Sequence, residues 1–178
     1  MTTVTEFLSN PESVGVWNLV PERSRITFRN KTMWGAMKVH GVFTELSGDG
    51  QVTDTGRAFG RVDIKAASLN TKLRKRDEDL RGSTFLDVEK YPEIGVVATS
   101  AEPKGGDTLD VRADLTVKGH TAPMPLRANV QMLDDGAVRV TTKTTLNRKD
   151  WGVTGDLLGM VGDKTALWAD LVFRRAAS

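Results

Sequence analysis

From Leu109 to Lys118 the chain alternates without a slip, with Leu109, Val111, Ala113, Leu115 and Val117 set against Asp110, Arg112, Asp114, Thr116 and Lys118. A helix would scatter these charges around its circumference, whereas an extended chain gathers them on one face. A strand with one dry face needs partners to cover it, and the same period returns along the sequence. Ile26 and Phe28 alternate with Arg25, Thr27 and Arg29, and Val62, Ile64 and Ala66 alternate with Arg61, Asp63 and Lys65. Ile94, Val96 and Ala98 begin another run, and Leu126, Ala128, Val130 and Met132 a further one. Val138 to Leu146 and Leu167 to Phe173 close the series, the former less oily because Thr142 and Thr144 share its inner face. Ser47-Gly48-Asp49-Gly50, Pro103 to Asp107, Gly119-His120 and Asp134-Asp135-Gly136 have the composition of turns. Gly41, inside a strand pattern, predicts a bulge or a tight curve. With no βαβ rhythm, these runs predict an all-β antiparallel barrel or sandwich. About eight strands would make a barrel just wide enough to be filled by its own side chains or to hold one small apolar ligand.

The alternation stops once, between Asn70 and Pro92. Arg74 to Arg81 is densely charged, and opposite charges fall four apart as Arg74 with Glu78, Lys75 with Asp79 and Asp77 with Arg81. That spacing predicts a short helix over residues 71–82, with Leu73 and Leu80 on one face and Gly82 ending it in a left-handed conformation. Phe85, Leu86, Val88 and Tyr91 follow, more apolar bulk than a solvated loop needs, so the stretch is expected to lie as a flap over one end of the barrel.

The 178 residues suit one domain, read as an N-terminal arm over residues 1–13 and a single barrel domain over 14–178. The arm contains Pro11 and no sustained period beyond a possible helical turn at Thr5 to Leu8. The whole chain's 25 basic and 23 acidic side chains nearly cancel, so no nucleic-acid partner is expected. The absence of cysteine excludes thiol chemistry and cysteine-ligated metals. The two histidines, His40 and His120, lack the neighbours of a metal site, no serine sits in a G-x-S-x-G elbow, and Asp77, Glu78 and Asp79 lie among arginines that favour ion pairing over acid catalysis. The sequence therefore predicts neither an enzyme nor a cofactor. The first residues lack a basic start and an apolar run of seven or more, so a cytoplasmic location is expected, and no stretch approaches the roughly 20 apolar residues of a membrane span.

The order Asn70-Thr71, Arg76-Asp77, Leu80-Arg81, Phe85-Leu86-Asp87 and Tyr91-Pro92 resembles the signature of the YceI-like proteins, lipocalin-like barrels that bind polyisoprenoids and related amphiphiles. Val16-Trp17 with Ser24 and Phe28, Gly41-Val42-Phe43, Leu115 to Thr121 and Asn147 to Gly152 fall in the same order, so the resemblance runs from about residue 15 onward. It implies a lipocalin-like barrel whose inward faces form an apolar tunnel. The matching inward candidates are Phe28, Val39 and Phe43 in the early strands, Phe85 in the flap, Leu115, Leu126, Val130 and Leu146 in the later strands, and Trp151.

Composition adds candidates of its own. Met33, Trp34, Met37, Trp151 and Met160, with Leu157 and Leu158, concentrate in bends and loops, where deformable apolar surface suits a binding site. Arg148, just before Trp151, reads either as an ion-pair or turn lock with Asp150 or as a cation meeting a ligand's polar head at the mouth. Two functions follow. One is binding, storage or transport of a polyisoprenoid or similar long-chain lipid. The other is a packed barrel serving as a stress-response or interaction module, with a homodimer as the implied assembly.

Overall fold

The computed structural model describes residues 2–32, 37–155 and 161–177, without the side chains of residues 32 and 161. After a short helix α1 (Val4–Ser9), strands β1 (Gly15–Leu19) and β2 (Arg25–Thr32) form one long strand bent at a 3-10 turn, Pro21–Arg23. The Ser24 hydroxyl lies 2.8 Å from the Val20 carbonyl and accepts from the Val172 amide at 2.9 Å, replacing ladder bonds that the bend removes. Strands β3 (Lys38–Phe43) and β4 (Leu46–Val52) make a second bent strand. β5 (Ala58–Lys65) continues through a 3-10 turn into β6 (Leu69–Asn70), followed by helix α2 (Arg74–Arg81). Strands β7 (Glu93–Gly105), β8 (Thr108–Val117), β9 (His120–Pro123), β10 (Leu126–Met132), β11 (Val138–Asn147) and β12 (Val161–Arg175) complete the chain.

Every strand pairing among the described residues is antiparallel, and the meander closes because β12 pairs with both halves of the first bent strand. Leu19 faces Phe173 on β1, and Phe28 faces Leu167 on β2. The result is an eight-stranded closed barrel. The Leu109 to Val117 alternation lies in β8, with Leu109, Ala113 and Leu115 buried.

Ser47 to Gly50 does not reverse the chain. These residues lie inside β4, and the reversal comes at residues 53–56, where the Gly56 amide donates to the Thr53 carbonyl. Their glycine serves close approach instead. A Cβ on Gly48 would stand 2.4 Å from the Arg61 carbonyl oxygen, and one on Gly60 2.5 Å from that of Asp49. Composition does not distinguish a turn glycine from one that lets two curved strands cross.

The interior is divided between the two ends. At one end α1, capped by a reciprocal Thr3–Glu6 box, places Val4 and Leu8 against Trp17, Val52, Leu109 and Val130. Phe7 meets Trp17 edge-on at 5.3 Å, and the Trp17 indole donates to the Ser13 carbonyl. The residues expected to form an arm thus plug this end. The other end lies beneath α2. Among the described residues, no helix is long and apolar enough to cross a membrane.

Candidate functional site

Beneath α2 the inward faces do not meet. They border an apolar cavity of about 260 Å³. Its walls come from the period-two pattern: Phe28, Val39, Phe43, Leu115, Leu126 and Leu146 all line it, Phe85 descends from the segment after α2, and Trp151 closes one side. Trp151 is buried, and its indole donates to the Leu115 carbonyl at 2.9 Å. Gly41 faces Phe28 across the β2–β3 ladder, and a Cβ there would fall 2.2 Å from the Phe28 ring, so the glycine makes room for an aromatic that reaches into the hollow.

Two expected wall residues lie elsewhere. Val130 is on the right face of β10 but at the wrong end of the barrel, packed with Val4, Trp17 and Leu109. Alternation assigns a face, and only the strand's position along the barrel axis assigns an end. Met37 is 67% exposed, because it precedes β3 and stands on the rim rather than on the wall. Met33, Trp34 and Met160, with Leu157 and Leu158, lie outside the described residues. Several wall residues were legible as inward positions without being singled out, notably Val62, Ile64, Ile94 and Val96. Met124 had no signal, being set between two prolines, and is fixed by its amide donating to the Ala113 carbonyl.

The flap is held by side chains reaching backward from the helix. Asp77, buried, accepts from both the amide and the hydroxyl of Thr71, and the Arg76 guanidinium donates to the Thr71 hydroxyl and carbonyl, each at 2.8 Å. Arg81 donates to the carbonyls of Ala67 at 3.0 Å and Leu69 at 2.9 Å. The expected pairs Arg74–Glu78 and Lys75–Asp79 form at the surface, at 3.4 and 3.2 Å. Asp77 and Arg81 do not pair, because Asp77 is drawn to Thr71 and Arg81 to Ala67 and Leu69. Leu73 is the N-cap and exposed, so it shares no face with Leu80, which lines the cavity. Gly82 ends the helix with φ −76°, not in a left-handed conformation. Asp77→Ala is expected to lower stability by about 1–3 kcal/mol, since it leaves Thr71 donors buried without an acceptor. Hydrogen exchange should speed up over residues 71–81, and unchanged protection there would refute the lock.

Arg148 is buried and also engaged. Its guanidinium donates to the carbonyls of Gly162 at 2.9 Å and Val153 at 2.6 Å, stands 3.9 Å from Asp163, and lies over the Phe85 ring. The Gly162 carbonyl also accepts from Asn30 at 3.1 Å. Arg148 therefore ties β12, the segment after Trp151 and the flap together at the cavity wall; among the described residues the acidic side chain beside it is Asp163, not the expected Asp150. Among the described lining residues the ionisable side chains are Lys31, Arg76 and Arg148, all cationic. No group of three or more His, Cys, Asp or Glu that could hold a metal occurs among the described residues. His120 instead packs on Gly152, whose Cβ would stand 2.9 Å from the ring.

Residues 17–173 match the family profile described as the YceI-like domain. A UPF0312 protein of Pseudomonas putida is 36% identical over 124 residues, spanning 66% of this chain and 65% of that protein. The chain thus aligns with just under two thirds of the length of these curated relatives. Among solved structures, BcnA of Burkholderia cenocepacia superposes with a TM-score of 0.78 at 19% identity, over 86% of this chain and 98% of that one. A polyisoprenoid binding domain from Saccharophagus degradans gives 0.75 at 18% identity, over 90% and 98%.

Proposed function

The chain belongs to the YceI-like family, and from that premise we propose that it binds the hydrocarbon chain of a polyisoprenoid or similar long-chain amphiphile in the α2 half of its barrel. The observation that carries this reading is the unfilled, apolar 260 Å³ beneath α2. Membership of the YceI-like family and the likeness to a polyisoprenoid binding domain support a binding protein rather than an enzyme.

The cavity's size sets the ligand problem. Each CH₂ buried there contributes about 0.8 kcal/mol against an association cost of about 4–15 kcal/mol, so a short tail is held weakly. A longer one gains more only if it runs out past Lys31, an exposed residue that also lines the cavity, or if the flap lifts. Arg148 serves such a ligand by holding Phe85 and the adjoining carbonyls in place, and a polar head is assigned to the Lys31 side. The protein would act as a carrier or a store. The competing reading, a packed barrel acting as an interaction module, describes the α1 half only.

Native mass spectrometry of protein purified without solvent extraction, followed by titration with polyprenols of graded length, tests the proposal. Retained or acquired hydrocarbon is expected; protein that is empty and takes up no polyprenol would sink it. Leu126→Trp, on the cavity wall, should abolish uptake while the barrel stays folded. Val130→Trp, in the packed half, should instead cost about 1–3 kcal/mol through overpacking and leave uptake intact.

A further inference from the structure

The two most exposed of the large apolar side chains picked out at the surface are Met37, at 67%, and Leu73, at 54%, and both stand at the cavity end. Met37 leads into β3. Leu73 follows β6, which runs antiparallel to β3 from the Phe43–Leu69 pair and so carries the chain toward the Lys38 end of that strand. Around these side chains cations outnumber the acids Glu78, Asp79 and Asp163. Lys31 and Lys38 are direct cross-strand partners on β2 and β3, an arrangement that destabilises a sheet unless something neutralises it. The next outward-facing pair is Arg29 with His40. Lys72, Arg74 and Lys75 flank Leu73; Arg74 and Lys75 have Glu78 and Asp79 as partners, whereas Lys31, Lys38 and Lys72 form no ion pair among the described residues. The basic strip continues over β12, where Arg29 and Lys143 each lie over the Trp168 ring, at 5.2 and 5.4 Å. Asp170, further along, is matched by Arg139 at 3.0 Å. Since the whole chain carries a formal charge of only +2, this is segregation rather than general basicity.

We propose that this rim is a docking surface for an anionic phospholipid bilayer, with Met37 and Leu73 entering the interface and the lysines around them meeting headgroup phosphates. Apolar tips ringed by cations match the boundary between acyl chains and anionic headgroups. A nucleic acid would use the lysines but leave Met37 and Leu73 without a role. The inference does not depend on what the cavity holds.

Flotation of the protein with vesicles of phosphatidylcholine alone, and with added phosphatidylglycerol, tests it. Binding is expected only with the anionic lipid, and it should fall as salt rises. The double change Lys31→Glu/Lys38→Glu should lower the partition coefficient at least about tenfold. Arg112→Glu, on β8 across the barrel, should leave it unchanged. Met37→Ser/Leu73→Ser, which alters only exposed side chains, should weaken binding that persists at high salt without lowering the melting temperature. No flotation with anionic vesicles, equal binding to neutral ones, indifference to the charge reversal, or preference for an oligonucleotide at equal phosphate concentration would each overturn the assignment. Failure of polyprenol uptake with vesicle binding intact would leave this surface standing and remove only the cavity's proposed ligand.

Discussion

Trp151→Ala is expected to lower the unfolding free energy by about 3–5 kcal/mol, the range for deleting a large buried aromatic. Trp151 ends the 3-10 turn Arg148–Trp151, and the chain leaves it through Gly152 at φ 74°, a left-handed conformation that suits glycine. From there the backbone crosses to the flap, where the Gly155 amide donates to the Thr84 carbonyl at 2.7 Å, and Lys118 ties the Ser83 carbonyl to the same region at 2.8 Å. The indole thus anchors the junction of β8, the flap and the segment leading into β12. It already borders an empty space, so its neighbours have little to collapse onto, and the cavity penalty should be felt nearly in full. Trp151→Phe separates the contributions. It keeps most of the apolar volume and loses the bond to Leu115, so it should cost about 1 kcal/mol. Chemical denaturation of the three proteins decides the matter; an alanine variant within about 0.5 kcal/mol of the parent would mean that the ring is not structural, since surface substitutions occupy that range. Polyprenol titration of the same alanine variant should show a preference for bulkier chains.

Val4→Asp should release the N-terminal segment from the barrel. Val4 is 1% exposed, and its amide donates to the Gly106 carbonyl at 2.9 Å. An unpaired carboxylate at Val4 is far more costly than undocking, and the arm rather than the barrel should give way. Limited proteolysis should then cut within residues 2–12, and Trp17, stripped of Phe7, should emit at longer wavelength. An arm that remains protected would show that the α1 end is a fixed part of the core. Cavity uptake should persist, because α1 contributes nothing to the lining beneath α2.

Much of the architecture was legible before any coordinates. The alternations of β5, β8, β10 and β11 named the inward faces, and Phe28, Leu115, Leu126 and Leu146 all reach the cavity as their registers required. The charged break at residues 74–81 marked the helix, and the i, i+4 surface pairs formed where spacing placed them. The failures share a cause. Asp77 and Arg81 were assigned to each other by local spacing, whereas a better set of donors and acceptors stood below them in residues 67–71. Val130 followed the right periodicity to the wrong end of the molecule. Ser47 to Gly50 had turn composition, yet its glycine answered to a neighbouring strand.

The sequence by itself determined which side chains share a face, because the two-residue repeat of an extended chain is set by bonds between neighbours. Which dry faces would touch and which would stand apart belonged to the tertiary structure alone. That outcome depends on how far each strand climbs the closed barrel and on what plugs each end. Val4 and Leu8 fill one half, while the flap over the other is drawn to β6 and leaves a hollow under it. Separations across the barrel interior are set by closure, register and tilt together, and no local pattern records them.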